Sequence, residues 1–175
     1  MEIVTMKAKN TELITEDKSL KKKIRLHIAG FLAVAFLTAC GEDPELVQFR
    51  NSIEEFCTEI SQIDTAINSI DASSESAVSD LLSCLDDLED SFQGFAELDF
   101  PEEFDYLEEI AEQAGDYMST AVSSYHDAYG GDSYDEYTAA YASENYSRAY
   151  KRVQIIITFL HGETPEDVDL QIENP

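Results

Sequence analysis

Between positions 46 and 70, large apolar residues recur at Leu46, Phe49, Ile53, Phe56, Ile60, Ile63, Ile67 and Ile70. Their spacing alternates three and four without a break, which is the a/d seam of a heptad. A strand shows alternate residues to opposite faces and cannot use such a pattern. The seam predicts one long helix with a single apolar stripe, and that stripe needs other helices to cover it.

Three later segments repeat the pattern. The second runs on Val78, Leu81, Leu85, Leu88, Phe92 and Phe95, with Leu82 widening its stripe. The third carries Phe104, Leu107, Ala111, Ala114, Met118, Ala121, Tyr125 and Ala128; the fourth carries Ala139, Ala142, Tyr146, Ala149, Val153, Ile156 and Leu160. Stop signals separate them. Asp43 and Pro44 form a favoured helix start. Asp71-Ala72-Ser73-Ser74 interrupts the first seam, with Ser73 or Ser74 expected to cap the second helix. Asp99 to Glu103 breaks the chain again, with Pro101 placed in the first turn of the third helix. Gly130-Gly131 ends the third helix, and Gly162 with Pro165 beyond ends the fourth.

These elements predict an all-α chain: an antiparallel up-down-up-down four-helix bundle over residues 44–162, then a flexible acidic tail over 163–175. Helices 1 and 2 meet through large side chains. Helices 3 and 4 meet through alanines, so they are expected to approach more closely. In the heptad frame Cys57 falls at e and Cys84 at g, which sets them on different flanks of an antiparallel pair. Whether they form a disulfide stays open at this point.

Charge narrows the partners. The chain has 11 basic and 37 acidic residues, of which seven and four precede Cys40. From Cys40 onward the net charge is therefore −29. That argues against nucleic acid and against adsorption onto anionic headgroups. The 136 residues from Cys40 suffice for one domain with a core, but not for a two-lobed solute-binding architecture.

The amino-terminal region carries an address. Lys21-Lys22-Lys23 precede an apolar run from Ile28 to Leu37, followed by Leu37-Thr38-Ala39-Cys40-Gly41. The uncharged stretch from Ile28 to Ala39 is 12 residues, short of the roughly 20 that cross a bilayer. A basic start, an apolar middle and small residues before a cut site make a secretory signal. The Leu-Thr-Ala-Cys ending resembles the lipobox of bacterial lipoproteins. The resemblance implies cleavage between Ala39 and Cys40, diacylglycerol on the Cys40 sulfur and an extracytoplasmic, membrane-anchored product. Downstream, the chain is similar to small helical lipoproteins of Gram-positive bacteria. Residues 20–39 are then the signal peptide and 40–43 the tether. Residues 1–19 are read as a non-native extension, with translation starting at codon 20.

A tether of Gly41, Glu42 and Asp43 would hold the bundle close to the membrane, with the Asp71–Ser74 and Gly130-Gly131 turns facing outward. Asp71, Glu75, Asp127, Asp132, Asp135 and Glu136 gather at that outward end. Arg50, Arg148, Lys151 and Arg152, the only bases after Cys40, fall in the other half. Glu144 precedes Arg148 by four, the favoured order for a helix ion pair.

All nine tyrosines lie between Tyr106 and Tyr150. Tyr125, Tyr129, Tyr134, Tyr137 and Tyr141 surround the Gly-Gly turn. Tyrosine offers rigid contact area with a polar end, so Tyr125, Tyr129, Asp132, Tyr134 and Tyr137 are the candidate tip for a protein or glycan partner. The competing reading is that half of the tyrosines pad the seam between helices 3 and 4.

His126, Asp127, Asp132, Asp135 and Glu136 lack the spacing of a calcium loop, and one imidazole falls short of a zinc set. No metal is expected, and no cofactor beyond the covalent lipid on Cys40. Ser123, Ser124, His126 and Asp127 are the residue types of a hydrolase triad, but neighbours on one helix do not converge. The expectation is therefore not an enzyme but a surface-exposed binding module. The alternative is a structural or envelope-stress lipoprotein that assembles through its helix faces.

Overall fold

The Asp43 carboxylate accepts a hydrogen bond from the Glu45 amide at 3.0 Å, and Pro44 takes the first helical position. The chain thus enters α1 (Pro44–Ser69) as expected. Three helices follow: α2 (Ala77–Ala96), α3 (Glu108–Gly130) and α4 (Glu136–Leu160). The computed structural model describes residues 43–131 and 133–163. The extension 1–19, the signal peptide, Ala39, Cys40, Asp132 and the tail from residue 164 lie outside the described residues.

The four helices pack against one another as an all-α bundle. Phe56 lies against Phe92 and Phe95, with ring centroids 5.4 and 4.3 Å away, and joins α1 to α2. Asp86 meets His126 and Gln93 meets Gly115 between α2 and α3. Gln113 meets Arg152 between α3 and α4. Between α2 and α3 the contacts match rising positions with falling ones, so these two helices run antiparallel. Phe92 against Tyr150, at 5.2 Å, ties α2 to α4 through the core.

The seams form the core. Phe49, Ile53, Phe56, Ile60, Ile63 and Ile67 of α1 are buried, as are Leu81, Leu85, Leu88, Phe92 and Phe95 of α2. Leu46, Ile70 and Leu160, at the ends of their stripes, are only half-buried. Val78 is exposed, because α2 begins at Ala77 and that residue turns inward instead. The alanine seams of α3 and α4 are fully covered, and these two helices make the most extensive backbone approach in the bundle.

Two helix starts differ from expectation. Ser76, not Ser73 or Ser74, is the N-cap of α2, and its hydroxyl donates to Asp80 at 2.9 Å. Ser73 is held by Asp71, whose carboxylate accepts from its amide and its hydroxyl at 2.9 and 2.7 Å. This Asx turn takes Ser73 out of play as a cap. Pro101 does not open α3. The Phe104 amide donates to the Pro101 carbonyl at 2.7 Å, and a 3-10 turn over Asp105–Leu107 comes before the α-helix. Phe100 and Phe104 hold this segment across the start of α1, with centroids 4.9 and 6.1 Å from Phe49.

The pairing of the cysteines is also decided. With Phe56 opposite Phe92 and Phe95, Cys57 lies level with the stretch around residue 92. Cys84 is about eight residues away along α2, roughly 12 Å of helix rise. A disulfide tolerates no more than about 7 Å between Cα atoms. Both thiols are free.

Burial, with the Glu54 charge beside it, pushes the Cys57 thiol up to about 11 from 9.0. Because the folded value is raised, the protonated thiol favours the fold. Its stabilisation is full below pH 9 and is lost as pH rises toward 11. Alkylation of Cys57 by iodoacetamide at pH 8 should accordingly be far slower in the native protein than in denaturant, and should accelerate steeply up to pH 11. Mass mapping of the labelled cysteine checks this.

Two glycines give a second prediction. A Cβ at Gly94 would meet nothing within 4 Å, so Gly94→Ala should stabilise α2 by about 0.5–1 kcal/mol through helix propensity. A Cβ at Gly115 would lie 3.1 Å from the Ala96 Cβ, where α2 crosses α3. Gly115→Val should therefore destabilise by about 1–3 kcal/mol. Urea unfolding of both variants distinguishes the two sites.

Candidate functional site

The turn between α3 and α4 is built by its acids before it can offer them to a ligand. α3 ends at Gly130, and Gly131 continues in extended backbone. Asp135 then caps α4, accepting from the Tyr137 amide at 3.0 Å, the Thr138 amide at 3.2 Å and the Thr138 hydroxyl at 2.9 Å. The bond from the Thr138 amide and its companions hold the carboxyl below its usual range. The Asp135 amide in turn donates to the Ala128 carbonyl at 3.0 Å, closing the turn onto α3. Asp135 is a structural cap.

The structure divides the predicted tyrosine tip. Tyr125 is 1% exposed. It occupies a seam position of α3, so it belongs to the core and reaches no partner. Burial raises its hydroxyl well above the ordinary tyrosine value, in spite of a hydrogen bond with Ser143. Tyr146 and Tyr150 are buried as well, with centroids 4.8 Å apart and hydroxyls pushed up by burial. Tyr129 and Tyr134 are half-buried and brace the turn from either side, ring against ring at 5.1 Å. Tyr137 is 89% exposed and Tyr141 is 53% exposed, four residues apart on the same face of α4. The tip therefore presents Tyr137 and Tyr141, supported by the Tyr129–Tyr134 pair. Tyr141 was not in the expected set, although its place off the α4 seam is readable in the spacing of Ala139 and Ala142.

The remaining candidates are engaged elsewhere. His126 Nε2 lies 2.6 Å from the Asp86 carboxylate, linking α3 to α2 and not to the acids of the turn. The Ser124 hydroxyl donates to the Thr120 carbonyl at 2.7 Å. Among the described residues, no three His, Cys, Asp or Glu side chains gather as a metal-holding group. No described helix is long and apolar enough to cross a membrane.

The basic patch has a structural task. The Arg148 guanidinium pairs with Glu144 at 2.7 Å, as the i, i+4 spacing predicts. It also stands 5.7 Å from the Tyr117 ring. Arg152, 8% exposed, sits 5.5 Å from the same ring and donates from Nε to the Gln113 amide oxygen at 2.8 Å. Tyr117 thus receives two cations, and Arg152 clamps α3 to α4. The partners Tyr117 and Gln113 lie more than 30 positions away in sequence, so local spacing gives no sign of them.

Neither protein families, nor curated proteins, nor solved structures provide a match for this chain.

The two arginines should differ in worth. Arg152→Ala removes a buried charge-assisted hydrogen bond and a stacking contact, and should cost about 2 kcal/mol. Arg148→Ala breaks an exposed helix pair and should cost less than about 1 kcal/mol. Parallel denaturant titrations of the two variants check the order.

Proposed function

We propose that the protein is a lipid-anchored, extracytoplasmic binding module that meets a protein or glycan partner through Tyr137 and Tyr141. The observation that carries this reading is the exposure of two large aromatic side chains on one face of α4, beside a turn held in place by Asp135 and the Tyr129–Tyr134 pair. Neither exposed ring fills the core, and aromatic residues on a rigid support make effective contact anchors. The Leu37-Thr38-Ala39-Cys40 sequence supports the anchorage, and the strong negative charge argues that acyl chains rather than headgroup attraction hold the protein at the membrane.

Two variants test the reading in intact cells. Metabolic labelling with an alkyne fatty acid should mark the wild type and leave Cys40→Ala unlabelled; label persisting in Cys40→Ala would overturn the anchor. Tyr137→Ala/Tyr141→Ala should lose partner crosslinks, while its melting stays within about 0.5 kcal/mol of wild type, as surface changes do. Undiminished crosslinks in that variant would defeat the tyrosine surface.

A further inference from the structure

Along the outer side of α4, Tyr137, Tyr141, Glu144, Arg148 and Lys151 follow one another at alternating steps of four and three. Such positions share one face of a helix, and all five are exposed. The stripe is polarised. Tyr137 and Tyr141 lie at the turn end, next to the exposed Glu136, and Arg148 and Lys151 lie at the other. Arg148 stands seven positions past Tyr141, about 10 Å of helix rise. Its charge is already engaged by Glu144 at 2.7 Å and by the Tyr117 ring.

Tyr117 shows what a tyrosine ring does in this chain when cations are within reach: two guanidinium groups stand over it, at 5.7 and 5.5 Å. Tyr137 and Tyr141 offer the same electron-rich faces, and among the described residues no cation covers them. The sequence before them supplies none, since no lysine or arginine occurs between Arg50 and Arg148. Whatever covers these rings must approach a chain with a net charge of −29 from Cys40 onward. An acidic partner is repelled before contact, a neutral glycan gains nothing from the field, and a basic partner is drawn in. Charge complementarity therefore chooses the basic one.

We infer that the partner is a protein presenting a basic, extended segment with arginines at alternate positions, which rests on the reading of Tyr137 and Tyr141 as the contact face. Four helical positions separate the two tyrosines, about 6 Å of rise. An extended chain turns every second side chain to the same side and spaces them by about 6.6 Å. An Arg-X-Arg segment thus lays one planar guanidinium on each ring. Ala140, exposed beside both tyrosines, puts nothing larger than a methyl group against them. Glu136 and Glu144 flank the pair with negative charge. Arg148 and Lys151 bound the footprint, because a cation laid farther along α4 meets like charge.

The test uses the full lipidated protein in phosphatidylcholine nanodiscs, with its tyrosines isotope-labelled and empty discs as the reference. Three probes are titrated at physiological salt. Two are end-blocked pentapeptides of one composition, Thr-Arg-Thr-Arg-Thr and Thr-Thr-Arg-Arg-Thr, and the third is chitohexaose, a neutral glycan. The alternating peptide should shift the Tyr137 and Tyr141 ring signals saturably, leave those of the buried Tyr125, Tyr146 and Tyr150 in place, and bind roughly threefold more tightly than its isomer. Ala140→Lys sets a cation beside the rings, four residues after Glu136, and should weaken the peptide by roughly threefold without lowering the melting temperature. Glu54→Gln/Glu59→Gln removes charge from α1 and should leave the affinity within about 1.5-fold of wild type. The proposal is overturned if the two isomers bind equally, if Ala140→Lys binds as the wild type does, if the α1 variant loses affinity as Ala140→Lys should, or if chitohexaose alone shifts the two rings. Cellular crosslinks lost in Tyr137→Ala/Tyr141→Ala, with no shift from the alternating peptide, would leave the tyrosine surface standing and overturn only the basic segment.

Discussion

Seven alanines, at positions 111, 114, 121, 128, 139, 142 and 149, are buried where α3 and α4 meet. Their small side chains let these two backbones make the most extensive approach in the bundle, and much of the remaining structure follows from it. A narrow gap leaves room for only a few large residues. Tyr125, Tyr146 and Tyr150 enter the core, and the other tyrosines are left at the edge or outside. The same gap lets Arg152 reach from α4 to Gln113 on α3, with the Tyr117 ring beneath it. The turn that joins the helices is correspondingly tight, which is why Asp135 both caps α4 and ties back to Ala128.

The α1–α2 contact is built on the opposite principle. Large side chains fill the interface: Phe56 stacks on Phe95 and meets Phe92 edge-on. Gly94 lies on the exposed surface of α2, where a Cβ would meet nothing within 4 Å. Gly115 lies on the α2–α3 contact, where a Cβ would stand 3.1 Å from the Ala96 Cβ and 3.4 Å from the Gln93 amide nitrogen. One glycine faces open space and the other a packed contact, and only the neighbours tell the two cases apart.

This contrast marks how far the sequence could be read. The a/d spacing identified nearly the whole core because period is a local property of each helix, and burial follows period once any partner covers the stripe. It also placed Tyr125 on the α3 seam, which conflicts with its assignment to the tip; the seam was the better guide. Caps were harder. Asp43 could be assigned from its neighbour Pro44 alone, whereas Asp71, Ser73, Ser74 and Ser76 compete for one helix start, and the outcome depends on which carboxylate is satisfied first. Contacts between distant positions, such as His126 with Asp86 and Arg152 with Gln113, leave no mark in local spacing.

Charge connects the two halves of the molecule. Four bases face 33 acids after Cys40, and α4 keeps Arg148 and Arg152 for its own clamp, over one tyrosine ring. These cations are committed within the α3–α4 pair and are not available to the carboxylates of α1 and α2. Glu55, Glu59 and Asp90 on that side are exposed to solvent above the apolar seam. A bundle arranged in this way repels anionic surfaces along most of its length. Its uncharged exposed feature, the tyrosine face of α4, is then where contact area is gained without adding to the repulsion.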